Sequence, residues 1–258
     1  MLARFMDSST SKIKQVYNWL FINQCHICGQ ASAAALCSAC ASDLPKVSRV
    51  CPNCAEFQPL NQVCGQCLRQ PPAFSRVIAP FYYQHPVRRH LRNWKLKQGR
   101  QPVWLFAALA EQLGDYEFDA IVPIPCHWRR KLRRGHDHTK VLARFIAQFT
   151  AQASAYQARL QSPPLSASTS KPRPKPVICA LQRARYTHTQ RGLDRSARLK
   201  NVRDSFKLIH PVQDLRVLLI DDVITTGSTA HAAATVLKQH GARSVVLGCL
   251  AKTPKRIR

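Results

Sequence analysis

The stretch Val217-Leu218-Leu219-Ile220-Asp221-Asp222-Val223-Ile224-Thr225-Thr226-Gly227-Ser228-Thr229 decides how the chain folds. Its apolar opening reads as a buried strand, running from Arg216 to Val223, that delivers two adjacent carboxylates to its carboxyl end. In open α/β sheets that end is where ligands bind. A short hydroxyl-rich turn with one glycine follows, then a helix from Ala230 to Gln239 that Gly241 stops. Such a turn aims backbone N–H groups and hydroxyls inward, and a helix N-terminus favours a dianion. Phosphate held by Thr225, Thr226, Gly227, Ser228 and Thr229, with sugar hydroxyls on Asp221 and Asp222, fits this order of residues. An ordinary strand–loop–helix joint with a Thr or Ser cap would explain an isolated Thr-Thr-Gly. It does not explain two acids placed directly ahead of one.

Working outward, strands and helices alternate through residues 71–258. Arg76 to Tyr83 reads as a strand, and Pro86 to Lys97 as a short helix with Leu91 and Trp94 inward and Arg88, Arg89, Arg92 and Lys95 outward. Pro102 suits the first position of a second helix. Asp119 to Pro125 is a buried strand that stops at prolines, and a helix from about Asp137 carries Leu142, Phe145, Ile146 and Phe149. Residues 151–175 are rich in Gln, Ala, Ser and Pro and read as a flexible insertion. Pro176 to Leu181 and Ser244 to Leu250 complete the strands. The predicted class is α/β with a mainly parallel sheet covered on both faces.

Eight of the 11 cysteines lie between positions 25 and 67, all in C-x-x-C pairs: Cys25 and Cys28, Cys37 and Cys40, Cys51 and Cys54, Cys64 and Cys67. Each pair forms a knuckle with two thiolates on one side, and two knuckles complete a tetrahedron around Zn²⁺. Four knuckles give two sites. All ligands are thiolates and no coordination position stays open, so the metals are structural. Sequential pairing and a crossed pairing both close. Cys179 and Cys249 lie in apolar strands and read as core residues, while Cys126 has no spacing logic. The expected organisation is a helical lead-in over 1–23, a double zinc-ribbon module over 24–70, and the α/β domain over 71–258.

Charge is the unusual feature of the composition. There are 39 Lys and Arg against 13 Asp and Glu, a net +26. Residues 1–70 hold 6 basic and 3 acidic side chains, leaving 33 and 10 to the remainder. Such a surface attracts polyanions, nucleic acid first. Apolar runs fall short of the ~18–20 residues needed to cross a bilayer, and the N-terminus lacks a leader's basic–apolar–small order. A cytoplasmic protein without membrane insertion is expected, in a compartment where cysteine pairs serve metals before disulfides.

The motifs together resemble the ComF family, also called the competence protein F or GntX-like family, with its type I phosphoribosyltransferase domain. Those motifs are the four knuckles, the basic segment Trp94 to Arg100, Val122-Pro123-Ile124-Pro125, Arg134-Gly135, Thr187-x-x-Gln190-x-x-Leu193, Arg198-x-x-Asn201 and the acid-and-turn motif. The resemblance implies phosphoribosyl pyrophosphate (PRPP) as ligand. Asp221 and Asp222 would be the catalytic acids, holding the ribose hydroxyls directly or through Mg²⁺, and Thr225 to Thr229 would cradle the 5′-phosphate. The loop after Pro125 would face pyrophosphate, and Arg183 to Arg198 would form a lid that excludes water. Arg133, Arg134, Arg185 and Arg191 would stabilise the leaving pyrophosphate. Where relatives commonly read Arg-Gly-Phe-Asn-Gln, this chain has Arg134-Gly135-His136-Asp137-His138. Solvent-exposed imidazoles and a helix-capping Asp137 are expected there.

Two functions follow from different classes. One is an enzyme that transfers phosphoribosyl to an unidentified acceptor and releases pyrophosphate. The other is a PRPP or nucleotide sensor that binds single-stranded DNA, which the family's association with DNA uptake and natural transformation supports, with proteins of that machinery as partners. Tyr82, Tyr83, Trp94 and Trp128 lie near basic clusters, where single strands would stack, although core packing suits most of these rings better. Ordinary base salvage needs neither two ribbons nor the charge.

Overall fold

The computed structural model describes residues 24–96, 101–114, 116–126, 135–161, 174–183 and 205–254, with side chains of the long helix described as far as Gln152. The elements in chain order are α1 (Ser38–Ser42), α2 (Gly65–Arg69), β1 (Arg76–Ile78), β2 (Phe81–Tyr82), α3 (Val87–Trp94), α4 (Val103–Gln112) and β3 (Ala120–Pro123). They continue with α5 (His138–Gln161), β4 (Leu181–Arg183), β5 (Phe206–Leu208), β6 (Arg216–Ile224), α6 (Ser228–Gln239) and β7 (Ser244–Lys252). The chain divides into two compact units, Met1–Pro45 and Lys46–Arg258. The division falls between the two pairs of cysteine knuckles, so the second pair belongs to the same unit as the sheet.

The sheet is parallel throughout, in the order β1-β7-β6-β3, with β2 also pairing β7. β1 and β2 are one edge interrupted at Ala79-Pro80, where proline gives the ladder no N–H. On the opposite edge Val177 bridges to Ile121 in parallel. Only the end of the expected strand from Pro176 enters a named strand, as β4 pairs antiparallel with β5. β6 lies between neighbours on both sides, and Val217, Leu218, Leu219 and Ile220 are all buried. That continuous apolar run is the mark of a parallel strand covered on both faces.

Arg216 fastens the start of β6 to the start of β3. Its backbone N–H and guanidinium donate to the Asp119 carboxylate at 2.8 Å, 3.1 Å and 2.8 Å, and it also pairs with Glu117. These bonds from Arg216 hold the Asp119 carboxyl well below its usual range, at about 2.

α3 buries Leu91 and Trp94, as the sequence predicts, and with them Val87 one turn earlier on the same face. Trp94 meets Phe106 of α4 edge-on at 4.9 Å between ring centroids, and His138 at 4.7 Å. Each fully buried aliphatic side chain in this layer, Leu91 and Leu105 among them, contributes roughly 1.5–3 kcal/mol. α5 runs on to Gln161, well into the stretch read as a flexible insertion. Its Ala- and Gln-rich composition is strongly helix-forming, and propensity prevails before the prolines begin.

Candidate phosphoribosyl site and paired metal centres

Asp221 and Asp222 stand where one neighbour of β6 has ended and the other continues. β3 stops at Pro123, level with Ile220, while β7 stays in register as far as Ile224 opposite Lys252. The acids are therefore held on one edge by β7 after the β3 ladder has finished. Both are half-buried. Asp221 Oδ1 accepts the N–H of Asp222 at 2.8 Å, and Lys95 Nζ lies 2.7 Å from Asp222 Oδ2. Burial, and then the Asp222 charge, push the Asp221 carboxyl up to about 7. The Asp222 backbone N–H, Lys95 and Arg183 pull it the other way. A carboxyl raised in this way is returned to its charged form by a bound cation.

The turn that follows is open to solvent. Thr225 and Thr226 are exposed, and Gly227, Ser228 and Thr229 are half-buried. Gly227 has φ 79°, and a Cβ there would meet Ile224 Cδ1 only at 3.4 Å, an ordinary contact. The left-handed backbone, not space, requires glycine. Thr226 Oγ1 lies 3.0 Å from Ser228 Oγ, and α6 begins at once with the N–H of His231 donating to Gly227 O at 2.8 Å. The first turn of α6 holds no acidic residue, so its positive end is unopposed within the helix. The structure thus brings all seven expected residues, Asp221, Asp222 and Thr225 to Thr229, onto one ledge.

The expected Arg133, Arg134, Arg185 and Arg191 lie outside the described residues, as do Trp128, residues 1–23 and the motifs from Thr187 to Asn201. Arg183, at the start of the expected lid, is close enough to Asp221 to lower its proton affinity, and its guanidinium lies over the Phe206 ring.

Two expectations need correction. Lys95 does not point outward with its helix neighbours but turns onto Asp222. Trp94 is buried, in keeping with its expected inward place, and presents no ring for stacking. His138 is not solvent-exposed: it packs against Trp94, because α5 sets its first residue against α3. Asp137 does cap α5, its Oδ1 accepting the Lys140 N–H at 3.5 Å and Thr139 Oγ1 at 2.8 Å.

Two further residues support the ledge from behind. Lys252 ends β7 and is 2% exposed, and its ammonium donates to Glu56 Oε1 at 2.6 Å, Thr225 O at 2.8 Å and Thr253 O at 3.0 Å. A charge closing an apolar strand is the signal that would have drawn attention to Lys252. Glu56, two residues past a cysteine knuckle, carries no such signal.

The cysteines assemble sequentially. Cys25, Cys28, Cys37 and Cys40 form one group, and Cys51, Cys54, Cys64 and Cys67 the other, with ligand atoms within 4.8 Å of one another in each. No pair is oxidised among the described residues. Backbone N–H groups turn towards sulfur, as Cys64 N does on Cys51 Sγ at 3.3 Å. In the first group the backbone hydrogen bond at Cys28 draws the Cys25 thiol down to about 6, with burial opposing it. Four converging thiols, some already favoured as thiolates, fit tetrahedral Zn²⁺. Each group would hold one structural ion.

Known protein families match the chain in two places. A double zinc ribbon domain family matches residues 16–68, and a phosphoribosyl transferase domain family matches residues 178–258. The chain is 29% identical over 245 residues to the DNA utilization protein YhgH of Salmonella typhimurium, covering 89% of this chain and 96% of that protein. It is 28% identical over 232 residues to Competence protein F of Haemophilus influenzae, covering 84% and 90%. A shorter likeness, 39% over 87 residues, joins it to a ribose-phosphate pyrophosphokinase of Wolinella succinogenes, across 30% of this chain and 28% of that enzyme.

Proposed function

We propose that this chain, which belongs to the ComF (competence protein F) family with its double zinc ribbon and phosphoribosyltransferase domain, binds PRPP and transfers its phosphoribosyl group as part of DNA uptake or utilisation. The observation that carries the reading is the continuous ledge of Asp221, Asp222 and Thr225 to Thr229 at the carboxyl end of β6. Sugar hydroxyls would be accepted by the two carboxylates, and the 5′-phosphate would sit against the turn at the N-terminus of α6. In the reaction the bond from the anomeric carbon to pyrophosphate breaks, pyrophosphate departs with the electron pair, and the acceptor's lone pair forms the new bond. Positive charge grows on the ring meanwhile, and the adjacent carboxylates stabilise it. The acids also fit Mg²⁺, which would neutralise pyrophosphate when bound with substrate. Lys95 offsets part of the pair's negative charge when no ligand is present.

The family, the charge and the exposed face of α3 favour a second property, binding of single-stranded DNA. Arg88, Arg89 and Arg92 are exposed, on the same helix that ends at Lys95. A protein that sensed PRPP and held DNA without turnover would use the same two surfaces.

The test is pyrophosphate release from PRPP with Mg²⁺ across a panel of bases and oligonucleotides, beside calorimetry with ribose 5-phosphate. Turnover that collapses in Asp221→Asn/Asp222→Asn supports the transferase. Binding without any turnover leaves the sensor, and no binding of either ribose phosphate by zinc-replete protein refutes the site.

A further inference from the structure

We propose that the second cysteine cluster is a pedestal for the phosphate turn, and that Lys252 is the positioning residue through which it acts. The inference rests on reading Thr225 to Thr229 as the phosphate turn. The path begins at the knuckle, where Cys51 N donates to Glu56 O at 2.7 Å and Ala55 N donates to Cys51 O at 2.8 Å. Those bonds close the Cys51–Glu56 turn around the thiols and fix where Glu56 points. Ala55, between ligand and carboxylate, is 1% exposed and lies in the same core cluster as Phe74 and Ile224, so this ribbon is built into the sheet domain. From Glu56 the path crosses to the Lys252 ammonium, and from there to the Thr225 carbonyl.

A buried ammonium is retained only where its donors are all used, and here three acceptors surround it: one carboxylate and two backbone carbonyls. The consequence for the turn is geometric. A trans peptide points its C=O and N–H in opposite directions. With Thr225 O held inward on Lys252, the N–H of Thr226 is directed to the outer side of the same peptide, where phosphate would be received. Thr253 N donates to Ile224 O at 2.9 Å and anchors the residue before. Lys252 therefore does not meet the phosphate. It sets the direction of the amide that does, and Glu56 cancels its charge, so the ligand's phosphate does not attract it out of place. Further ties run along the same seam: Ala73 N donates to His231 Nδ1 at 3.1 Å, in the first turn of α6.

If the path is real, the metal state of the second cluster controls ribose-phosphate affinity and that of the first does not. The experiment uses full-length chain with zinc counted on each sample, calorimetry with ribose 5-phosphate and Mg²⁺, and amide hydrogen exchange in the ligand-free state. Glu56→Gln/Lys252→Met removes both charges of the pair together, which avoids the penalty of leaving the buried one unpaired. Expected are two zinc ions still bound, a Kd at least tenfold weaker, and Thr253 amide exchange at least tenfold faster. Cys51→Ser/Cys54→Ser should lose one zinc and show the same weakening. Cys25→Ser/Cys28→Ser should lose one zinc and bind as the wild type does. A double variant with two zinc ions, wild-type affinity and wild-type exchange overturns the pedestal, as does equal weakening by the two cysteine pairs. If the wild type binds no ribose 5-phosphate, the site reading falls by itself, and Thr253 exchange unchanged in the double variant would remove the clamp as well.

Discussion

Lys95 Nζ lies 2.7 Å from Asp222 Oδ2, so the ligand-free acid pair already carries one cation supplied by the protein. The ammonium stands on the carboxylate expected to meet ribose hydroxyls or Mg²⁺, and a ligand must either share it or displace it. Because Lys95 lowers the proton affinity of the neighbouring Asp221, Lys95→Met should raise the Asp221 titration further above its present position near 7. Carboxyl carbon NMR across pH 5–9 reads this directly. An unchanged midpoint would show that Lys95 does not govern the pair.

Asp221 itself opposes stability at neutral pH. Its carboxyl is raised from 3.8 to about 7, so the native state holds the proton more tightly than the unfolded chain does. Stability attributable to this group is greatest below the unfolded value and is lost as pH rises through about 7. Asp221→Asn keeps an oxygen to accept the Asp222 N–H but carries no charge to bury. It should match the wild type below pH 4, gain on it between pH 4 and 7, and level off above 7, by at most about 4 kcal/mol. Urea denaturation at pH 4, 6 and 8 tests the sign. The same variant should bind ribose phosphate more weakly.

Gly227→Ala separates conformation from space. The added methyl would have room, at 3.4 Å from Ile224 Cδ1, but φ 79° is a conformation that alanine adopts at a cost of about 1–2 kcal/mol. The expected result is a lowered melting temperature together with loss of ribose 5-phosphate affinity, since the turn relaxes towards negative φ. Full affinity in a destabilised variant would separate the turn's shape from binding.

The outer face of α3 gives a prediction about nucleic acid. Replacing Arg88, Arg89 and Arg92 with Glu leaves the buried face of Val87, Leu91 and Trp94 untouched. Affinity for single-stranded DNA should fall, and the slope of log K against log salt should shrink by about 0.7 for each phosphate that is no longer neutralised. Fluorescence anisotropy with an oligonucleotide between 50 and 300 mM salt measures both. An unaltered slope would show that this face neutralises no phosphate.

By its order of residues alone the chain determined the parallel sheet, the acids at the end of β6, the hydroxyl-rich turn after them and eight cysteines in four knuckles. Each is a local pattern: apolar runs mark buried strands, a glycine marks the left-handed turn, and the spacing of two thiols within one knuckle needs no distant partner. What only the tertiary structure decided depends on segments meeting from far apart. Lys95 looked like another outward charge on a basic helix, and only folding brings its ammonium, just past the end of α3, to Asp222 on β6. His138 looked exposed until α5 placed it on Trp94. Knuckles had two ways to pair, and the fold chose the sequential one. Lys252 and Glu56 are 196 positions apart, and nothing short of folding brings a buried ammonium to that carboxylate and to the back of the turn. Periodicity reports which side of an element is apolar, whereas the partner of a polar side chain is fixed only when two elements have packed.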